Sequence, residues 1–380
     1  MSLISYYLKN IIISVVALLL CGVTWIIPFN LMKITVAPAV FETGGDYYNI
    51  VWETSFKGSG CVKYTHNGEE KTLWDSNNGI ITSDDTVHSV RVPKEELRGN
   101  TYTVESQFIP FKFAYQCLKG RTAESEPIAF GGEEKEDDIN ILCIADVHEM
   151  EKKMHKALSF VEEKPDLICM IGDITSEMRT KDQFTKFLLK DASDLSAGAV
   201  PVVFTRGNHE TRGEYAGVLA DYLGDEKGKF YYTFEFGALS AVVVDSGEDK
   251  EDGHKEYSGL VNFESLRKEE YEWLCSLDKK DFGGKYKLVF SHEPVLTEHF
   301  GKDWTVPLKE LGMELIVGGH WHDVKYIEDD LPVLRVGGNI TNSDFEKEFN
   351  SEWAATMLNL NEGKISVKTV DNNGKILLER

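Results

Sequence analysis

Three kinds of hydrophobic pattern follow one another along the chain. The segment from Ile11 to Met32 contains no charged residue. Residues 34–131 alternate apolar and polar positions in short runs separated by Gly, Asn and Asp, which is typical of half-buried β-strands. From Ile139 onward, short continuous apolar runs alternate with stretches of helical period. This last pattern predicts a buried, largely parallel sheet with helices between its strands.

The uncharged N-terminal segment is apolar enough to predict a membrane-spanning helix. At about 1.5 Å per residue, the run IIISVVALLLCGVTWII approaches a hydrocarbon core of about 30 Å. We therefore expect residues 1–33 to form a transmembrane signal anchor, with the N-terminus in the cytoplasm and the rest of the single-pass chain outside it. A cleaved secretory signal is the alternative, but the small residues from Ala37 to Ala39 lie far downstream for its cleavage site.

The patterns also predict the domain organisation. Residues 34–131 are expected to form a small antiparallel β-sandwich of the immunoglobulin or fibronectin type III kind, and HSVRVPKEELRGNTYTV resembles the end of fibronectin-like modules. Residues 132–138 read as an acidic linker. Residues 139–380 then form a second domain, whose apolar runs outnumber the strands of one sheet and indicate two packed sheets with helices outside.

Charge excludes one class of function. The chain of 380 residues has a formal net charge of −22, and residues 132–380 hold thirty basic against fifty acidic side chains. A surface this negative repels polyanions, so we expect no nucleic-acid partner. An anionic substrate would have to be attracted by something other than Lys and Arg.

Five of the apolar runs in the second domain end in residue types that commonly act as metal ligands. In open α/β sheets, ligands bind beyond the carboxyl ends of the strands, so side chains from five strand ends can converge on one point. Carboxylate, amide and imidazole ligands without thiolate suit Mn, Fe, Zn or similar divalent ions. The residues at these ends are Asp146, His148, Asp173, Arg206, Asn208, His209, His292, His320 and His322.

In this order the residues resemble the calcineurin-like metallophosphoesterases, whose motifs read D-x-H, G-D, G-N-H-[DE], H and G-H-x-H. The resemblance covers about residues 139–370 and implies an α/β fold, a four-layer αββα sandwich. It also implies two divalent metal ions bridged by Asp173. Carried over by position, the first ion is held by Asp146, His148 and His322, and the second by Asn208, His292 and His320.

The resemblance also implies roles in catalysis. A hydroxide between the two ions would attack the phosphorus in line, and His209, which is not a ligand, would act as general acid toward the leaving oxygen. A structural role for His209 remains the alternative. Arg206 and Arg212 flank the same motif and are candidates for contacts to the substrate phosphate, or else ordinary ion-pair residues.

A β-sandwich before such a domain is similar to purple acid phosphatases, but the motifs differ from that branch. Ser176 stands where the purple enzymes have the tyrosine that binds ferric iron, and His148 is a residue they tend to lack. We therefore expect no tyrosinate-to-iron absorption band.

The expected function is hydrolysis of small phosphomonoesters, with phosphodiesters or pyrophosphate bonds as alternative substrates of the same site. A noncatalytic adhesion or sensing module is the alternative from another class. Cys61 and Cys117 are the only cysteines in residues 34–131, and an exported chain would allow a disulfide between them. The sequence leaves the oligomeric state open.

Overall fold

A computed structural model of the chain describes residues 3–26, 32–114, 116–131, 135–297, 299, 301–340 and 352–380. Residues 132–134 of the predicted acidic linker and residues 27–31 of the predicted membrane segment lie outside the described part. The helices are α1 Leu3–Ile26, α2 Lys94–Leu97, α3 Glu151–Leu158, α4 Lys181–Gln183, α5 Leu189–Ser196, α6 Ala220–Leu223, α7 Phe263–Ser276 and α8 Thr305–Leu311. A π-helical turn, Phe184–Leu188, joins α4 to α5, and 3-10 turns cover His209–Thr211, Ala216–Val218 and Lys279–Asp281.

The strands make up a larger part of the fold than the helices. They are β1 Ile34–Glu42, β2 Tyr47–His66, β3 Glu69–Trp74, β4 Ser76–Asn77, β5 Ile80–Ile81, β6 Asp85–Pro93, β7 Thr101–Phe108, β8 Phe111–Phe113, β9 Gln116–Leu118, β10 Thr122–Glu124, β11 Ile128–Ala129 and β12 Ile139–Ile144. They continue with β13 Leu167–Ile171, β14 Pro201–Thr205, β15 Tyr232–Phe236, β16 Leu239–Val244, β17 Tyr286–Ser291, β18 Leu315–Gly318, β19 Val324–Ile327, β20 Val333–Val336, β21 Gly338–Ile340, β22 Glu352–Asn361, β23 Lys364–Asp371 and β24 Ile376–Glu379.

The described strands form two large sheets and two short hairpins. The first sheet has fourteen strands, in the order β10-β7-β2-β1-β14-β13-β12-β22-β23-β24, with β3 and β6 on β2, β11 on β7 and β21 on β22. The second has six strands, in the order β15-β16-β17-β18-β20-β19. The fold is therefore mixed α/β and rich in sheet, as the alternation of apolar runs predicts.

Strand β1 connects the N-terminal strands to the rest of the first sheet. It pairs antiparallel with β2 and parallel with β14, where Val40 lies opposite Pro201. The long strand β2 pairs with β6 along its first half and with β3 and β7 along its second half. Its two halves and their partners enclose one apolar cluster that includes Trp52, Val62 and Val104. The division into domains at residue 131 stays a prediction, as does the fibronectin likeness.

The two large sheets pack face to face, with helices outside. Strand β13 illustrates the reason, because every residue of its LICMI run is buried. Leu167, Cys169 and Ile171 face the second sheet, in a cluster with Phe290 and Val317. Ile168 and Met170 face the opposite way and contact α3 and α5. A strand that is apolar on both faces requires cover on both faces, and the second sheet is covered in the same way by α7 and α8.

The predicted membrane-spanning helix is not supported. No helix among the described residues has the length and apolarity of a membrane crossing. The single-pass localisation predicted from the apolar run is therefore wrong, and a membrane partner has no support.

The disulfide considered for Cys61 and Cys117 is not formed. Cys61 is buried in β2 and Cys117 is exposed in β9, and both are free thiols.

Asp191 in α5 is a buried carboxylate that weakens the fold. It is 1% exposed, and its Oδ2 has no hydrogen-bond partner among the described residues. Burial raises its pKa to about 8, and the nearby carboxylates of Glu151 and Asp194 act in the same direction. Since the folded chain then binds this proton more tightly than the unfolded chain, the contribution of Asp191 to stability falls as the pH rises from about 4 to about 8.

We expect Asp191→Asn to stabilise the protein, with a gain that grows between pH 5 and pH 8 and levels off above pH 8. The gain should reach about 1–3 kcal/mol, because the amide needs no ionisation in a buried site. Urea unfolding at several pH values measures it. The exposed Asp221→Asn is the matched control, and a gain independent of pH would contradict the assignment.

Candidate metal centre

The candidate residues lie at one edge of the two packed sheets. In the first sheet, β12 leads to Asp146 and His148, β13 to Asp173, and β14 to Asn208 and His209. In the second sheet, β17 leads to His292, and β18 to His320 and His322. These strands run parallel to their neighbours, so their carboxyl ends meet at the same edge of each sheet. The convergence that the strand ends predict is observed.

Asp173 is at the centre of the cluster. Its Oδ2 lies 3.2 Å from His292 Nε2 and 3.9 Å from the Nε2 atoms of both His148 and His209. Its Oδ1 accepts a hydrogen bond of 2.9 Å from the backbone N–H of His209. A single carboxylate oxygen is thus surrounded by imidazole nitrogens from three different loops.

The remaining residues complete two groups around this carboxylate. His322 Nε2 lies 3.6 Å from Asp146 Oδ1, and the His148 and His322 rings stack with their centres 5.1 Å apart. On the other side, His292 Nε2 lies 3.2 Å from Asn208 Oδ1. Three sets bring their potential ligand atoms within 4.8 Å of one another. These sets are Asp146, His148 and His322; His148, Asp173 and His209; and Asp173, His292 and His320.

The backbone is strained at this point. Left-handed φ angles occur at five candidate residues, at values between 45° and 70°. Residues other than glycine rarely adopt this conformation, and it persists where the surrounding structure enforces it, often at functional sites. The five residues are Asp146, His148, Asp173, His320 and His322.

Two glycines of the motifs are required by the close approach of the carboxylates. A Cβ on Gly207 would lie 2.2 Å from Asp173 Oδ1, and a Cβ on Gly319 would lie 2.6 Å from Asp146 Oδ2. Both distances are far shorter than any van der Waals contact, so a side chain at either glycine would displace the acid. The glycines in G-N-H-E and G-H-W-H therefore leave room for the two carboxylates.

Hydrogen bonds orient two of the imidazoles toward the site. His292 Nδ1 donates to the carbonyl of Ile171 at 2.8 Å, and His322 Nδ1 donates to the carbonyl of Asn339 at 2.7 Å. Because Nδ1 donates to a carbonyl, Nε2 is the ring nitrogen that points at the carboxylates. Metal-binding histidines typically donate one ring nitrogen to a carbonyl and direct the other toward the metal. His292 and His322 have this arrangement.

The electrostatics of the cluster fit a cation. Burial lowers the pKa of His148 to about 3 and that of His320 to about 4, so both rings are neutral. Burial raises the pKa of Asp146 well above its usual value, and Asp173 acts in the same direction. His148 Nε2 is buried without a hydrogen-bond partner among the described residues. Neutral imidazoles, an amide oxygen and two buried carboxylates are the donor set of a divalent ion such as Mn, Fe or Zn.

Asp173 and His292 form a charged pair within the cluster. Burial alone would raise the pKa of Asp173, but His292 and the neighbouring histidines lower it far below its usual range. Burial likewise opposes the charge on His292, and the carboxylate of Asp173 raises its pKa to about 10.

His209 lies beside Asp173, and its side chain is only partly buried. Its Nδ1 donates to the carbonyl of Ser176 at 2.7 Å, and Arg212 Nη1 lies 3.4 Å from its Nε2. The ring packs edge to face on His148, with centres 4.7 Å apart. The backbone carbonyl of Ser176 therefore helps to fix the orientation of the His209 ring.

Both candidate arginines are held by carboxylates. Arg206 donates to Asp245 from Nε at 3.1 Å and from Nη2 at 2.6 Å, and its guanidinium lies 4.7 Å from the centre of the Phe230 ring. Arg212 donates to Glu248 from Nε at 2.9 Å and from Nη2 at 2.8 Å. Arg212 contacts His209, and His209 in turn lies beside Asp173. A substrate contact for either arginine stays a prediction.

Glu210 is a residue whose role the sequence alone does not show. It is fully buried, and its Oε2 accepts hydrogen bonds from the backbone N–H groups of Asp173 at 2.8 Å and Gly207 at 3.0 Å. Its Oε1 accepts from the backbone N–H of Thr175 at 3.0 Å. One carboxylate thereby ties the loop after β13 to the loop after β14. The acidic last position of the G-N-H-E motif is the only sequence signal for this role.

Glu248 lies in the loop after β16 and belongs to none of the sequence motifs. It is fully buried, and its Oε1 accepts from Asn208 Nδ2 at 3.2 Å. This bond turns the Asn208 oxygen toward His292 and the cluster. Burial opposes ionisation of Glu248, but the hydrogen bonds from Arg212 lower its pKa to about 2, and the nearby Tyr257 hydroxyl acts in the same direction.

Comparisons with known proteins agree with this geometry. Residues 139–324 match the model of the family described as calcineurin-like phosphoesterase. No curated protein matches the chain. Among solved structures, PhoD covers 93% of this chain and 93% of its own, at 11% identity and a TM-score of 0.55. GAP50, the anchor in the inner membrane complex of Plasmodium, covers 64% of this chain and 88% of its own, at 13% identity and a TM-score of 0.45. At these identities the likeness to PhoD shows a shared fold.

We expect Glu210→Gln to lower the free energy of unfolding by about 1–3 kcal/mol, because the amide NH₂ cannot accept a hydrogen bond and leaves buried backbone donors unpaired. Chemical unfolding measures the loss. Glu214→Gln, at an exposed position of the same loop, should leave stability unchanged. Equal stability of Glu210→Gln and the wild type would show that the two loops hold together without this carboxylate.

We expect Glu248→Ala to weaken binding of a divalent ion about tenfold or more, because the Asn208 amide is then free to turn its nitrogen toward the cluster. Titration calorimetry with Mn²⁺ measures the affinity and the stoichiometry. Glu248→Gln keeps an acceptor for Asn208 and should recover part of the affinity, and the exposed Glu251→Ala is the control. Unchanged Mn²⁺ affinity in Glu248→Ala would contradict the positioning role.

Proposed function

We propose that the chain, whose residues 139–324 match the calcineurin-like phosphoesterase family, is a dinuclear metal-dependent phosphoesterase that hydrolyses small phosphomonoesters. The observation that carries the proposal is the position of Asp173 Oδ2, which faces His148 on one side and His292 on the other. A carboxylate oxygen shared by two sets of ligands is suited to bridging two cations.

We assign the ligands in two sets around the bridging Asp173. Asp146, His148 and His322 would hold the first ion, and Asn208, His292 and His320 the second. When bound, the two divalent ions would activate a water molecule as nucleophile and neutralise the phosphate oxygens. The donor chemistry and the neutral state of His148 and His320 support this assignment.

His209 is the proposed general acid. Its Nδ1 donates to the Ser176 carbonyl, so a proton available for transfer would be carried on Nε2, the atom that faces Asp173 at 3.9 Å. Transfer of that proton to the leaving oxygen would lower the barrier to cleavage of the ester bond. Arg212 Nη1 lies 3.4 Å from the same nitrogen and could donate a hydrogen bond to it once the proton has left.

The charge of the chain supports a small substrate. With a net charge of −22, the protein would repel extended polyanions. Two divalent ions would exceed the charge of the buried acids Asp146 and Asp173, which leaves a local positive region for one phosphate group. Nucleic acid is therefore not a proposed substrate.

We expect Asp173→Asn to lower kcat/KM for phosphomonoesters by about a thousandfold or more, because the bridging charge that holds both ions is lost. Phosphate release is measured after reconstitution with Mn²⁺, Fe²⁺ or Zn²⁺, and the metal content of each variant is measured by mass spectrometry.

Asp221→Asn, at an exposed position, is the matched control and should behave as the wild type. Removal of the metal by a chelator should abolish hydrolysis, and addition of the metal should restore it. Hydrolysis that survives both the chelator and Asp173→Asn would refute the dinuclear mechanism.

A further inference from the structure

A large aromatic side chain is exposed between two of the candidate metal ligands. Trp321 separates His320 from His322 in the turn after β18, and it is 48% exposed, whereas both histidines are partly buried. Exposed tryptophans are costly because they present much apolar surface to water. The position of Trp321 at the edge of the metal centre indicates a contact with the substrate.

The indole ring is held in place. Its centre lies 5.8 Å from the centre of the His320 ring, and the two planes are nearly perpendicular at 86°. The guanidinium carbon of Arg335 lies 4.7 Å from the centre of the indole. Arg335 is in turn fixed by a hydrogen bond of 3.1 Å from its Nη1 to Asp323 Oδ2, and its position on β20 is paired with Gly318 of β18.

This arrangement leaves a flat π surface open beside the candidate metal ligands His320 and His322. The guanidinium covers part of the ring through a cation–π contact, and the exposed part of the indole remains available. Because the ring is already positioned by His320 and Arg335, a ligand that stacks on it loses little free energy in ordering it. Stacked or edge-to-face aromatic pairs are more favourable than burial of the same area of aliphatic surface.

We propose that Trp321, supported by Arg335, is a specificity determinant that selects phosphomonoesters whose alcohol carries a planar aromatic ring. The inference rests on the proposed function, since it assigns the phosphate of the substrate to the metal centre beside Trp321. The esterified group, one short linker away from that phosphate, then stacks on the indole. An aliphatic group of equal size finds the same apolar surface but no π contact.

The test compares two ligand pairs that differ only in aromaticity. Benzyl phosphate and cyclohexylmethyl phosphate have alcohols of similar size, apolarity and basicity, and only the first has a π face. Their phosphonate analogues, benzylphosphonate and cyclohexylmethylphosphonate, cannot be hydrolysed at an ester bond and report binding alone. Hydrolysis is measured as kcat/KM and phosphonate binding by calorimetry, both on the full chain reconstituted with Mn²⁺.

We expect the wild type to prefer the aromatic member of each pair by about three- to tenfold. Trp321→Ala should reduce the preference to about one, Trp321→Phe should keep part of it, and Arg335→Gln should weaken it. Trp74→Ala is the matched control, because Trp74 is 42% exposed on β3 and is not in the metal centre.

Three results would overturn the proposal. They are equal use of both pairs by the wild type, an aromatic preference that persists in Trp321→Ala, and an equal loss for aromatic and aliphatic ligands in Trp321→Ala, which would indicate a structural role. Absence of phosphonate binding would overturn it as well. A preference for benzylphosphonate that depends on Trp321, with no hydrolysis of either ester, would instead refute the proposed function and leave the aromatic recognition standing.

Discussion

The candidate site depends on buried negative charge at the junction of two sheets. Asp146 and Asp173 are both buried, at 0% and 2% exposure, and no Lys or Arg in the described part of the chain pairs with either of them. Their charge is balanced by imidazoles and backbone N–H groups, including those of His209 and His320. An isolated buried carboxylate is unstable in a folded protein, so the loops around it are arranged to supply donors, and the same arrangement creates a place for cations.

Much of the local structure follows from this constraint. The backbone at Asp146, His148 and Asp173 adopts left-handed φ angles. The side chains of all three residues lie in the cluster of candidate ligands. Gly207 and Gly319 have no side chain because the carboxylate oxygens occupy that volume. Glu210 holds the backbone of the loops after β13 and β14. Glu248 orients the amide of Asn208. These acids do not face the cluster directly, and their effect reaches it through the residues that they hold.

The acidic composition and the acidic site have different consequences. Most of the surplus of negative charge is dispersed over residues 132–380, where it determines which large partners are repelled. The few buried acids at the strand ends lie instead within the cluster of candidate metal ligands. Beside them, Trp321 exposes an apolar surface in the turn after β18.

The sequence by itself determined the sheet-rich α/β class and the set of residues that meet at the site. It could do so because buried parallel strands read as continuous apolar runs, and because each of five runs ends in a polar residue at the same edge of a sheet. It also misled, since the uncharged run from Ile11 to Met32 predicted a membrane crossing that no described helix makes. Hydropathy reports the composition of a segment, not the structure it forms.

Only the tertiary structure decided the partners of side chains that are distant in the chain. Arg212 and Asn208 meet Glu248 from a loop about forty residues away, and Arg206 meets Asp245. Strand β1 pairs with β14 across more than 150 residues. Such pairs leave no periodic signal, because they depend on how two sheets and their loops pack in space. The sequence specifies which groups end each strand, and packing specifies which groups they face.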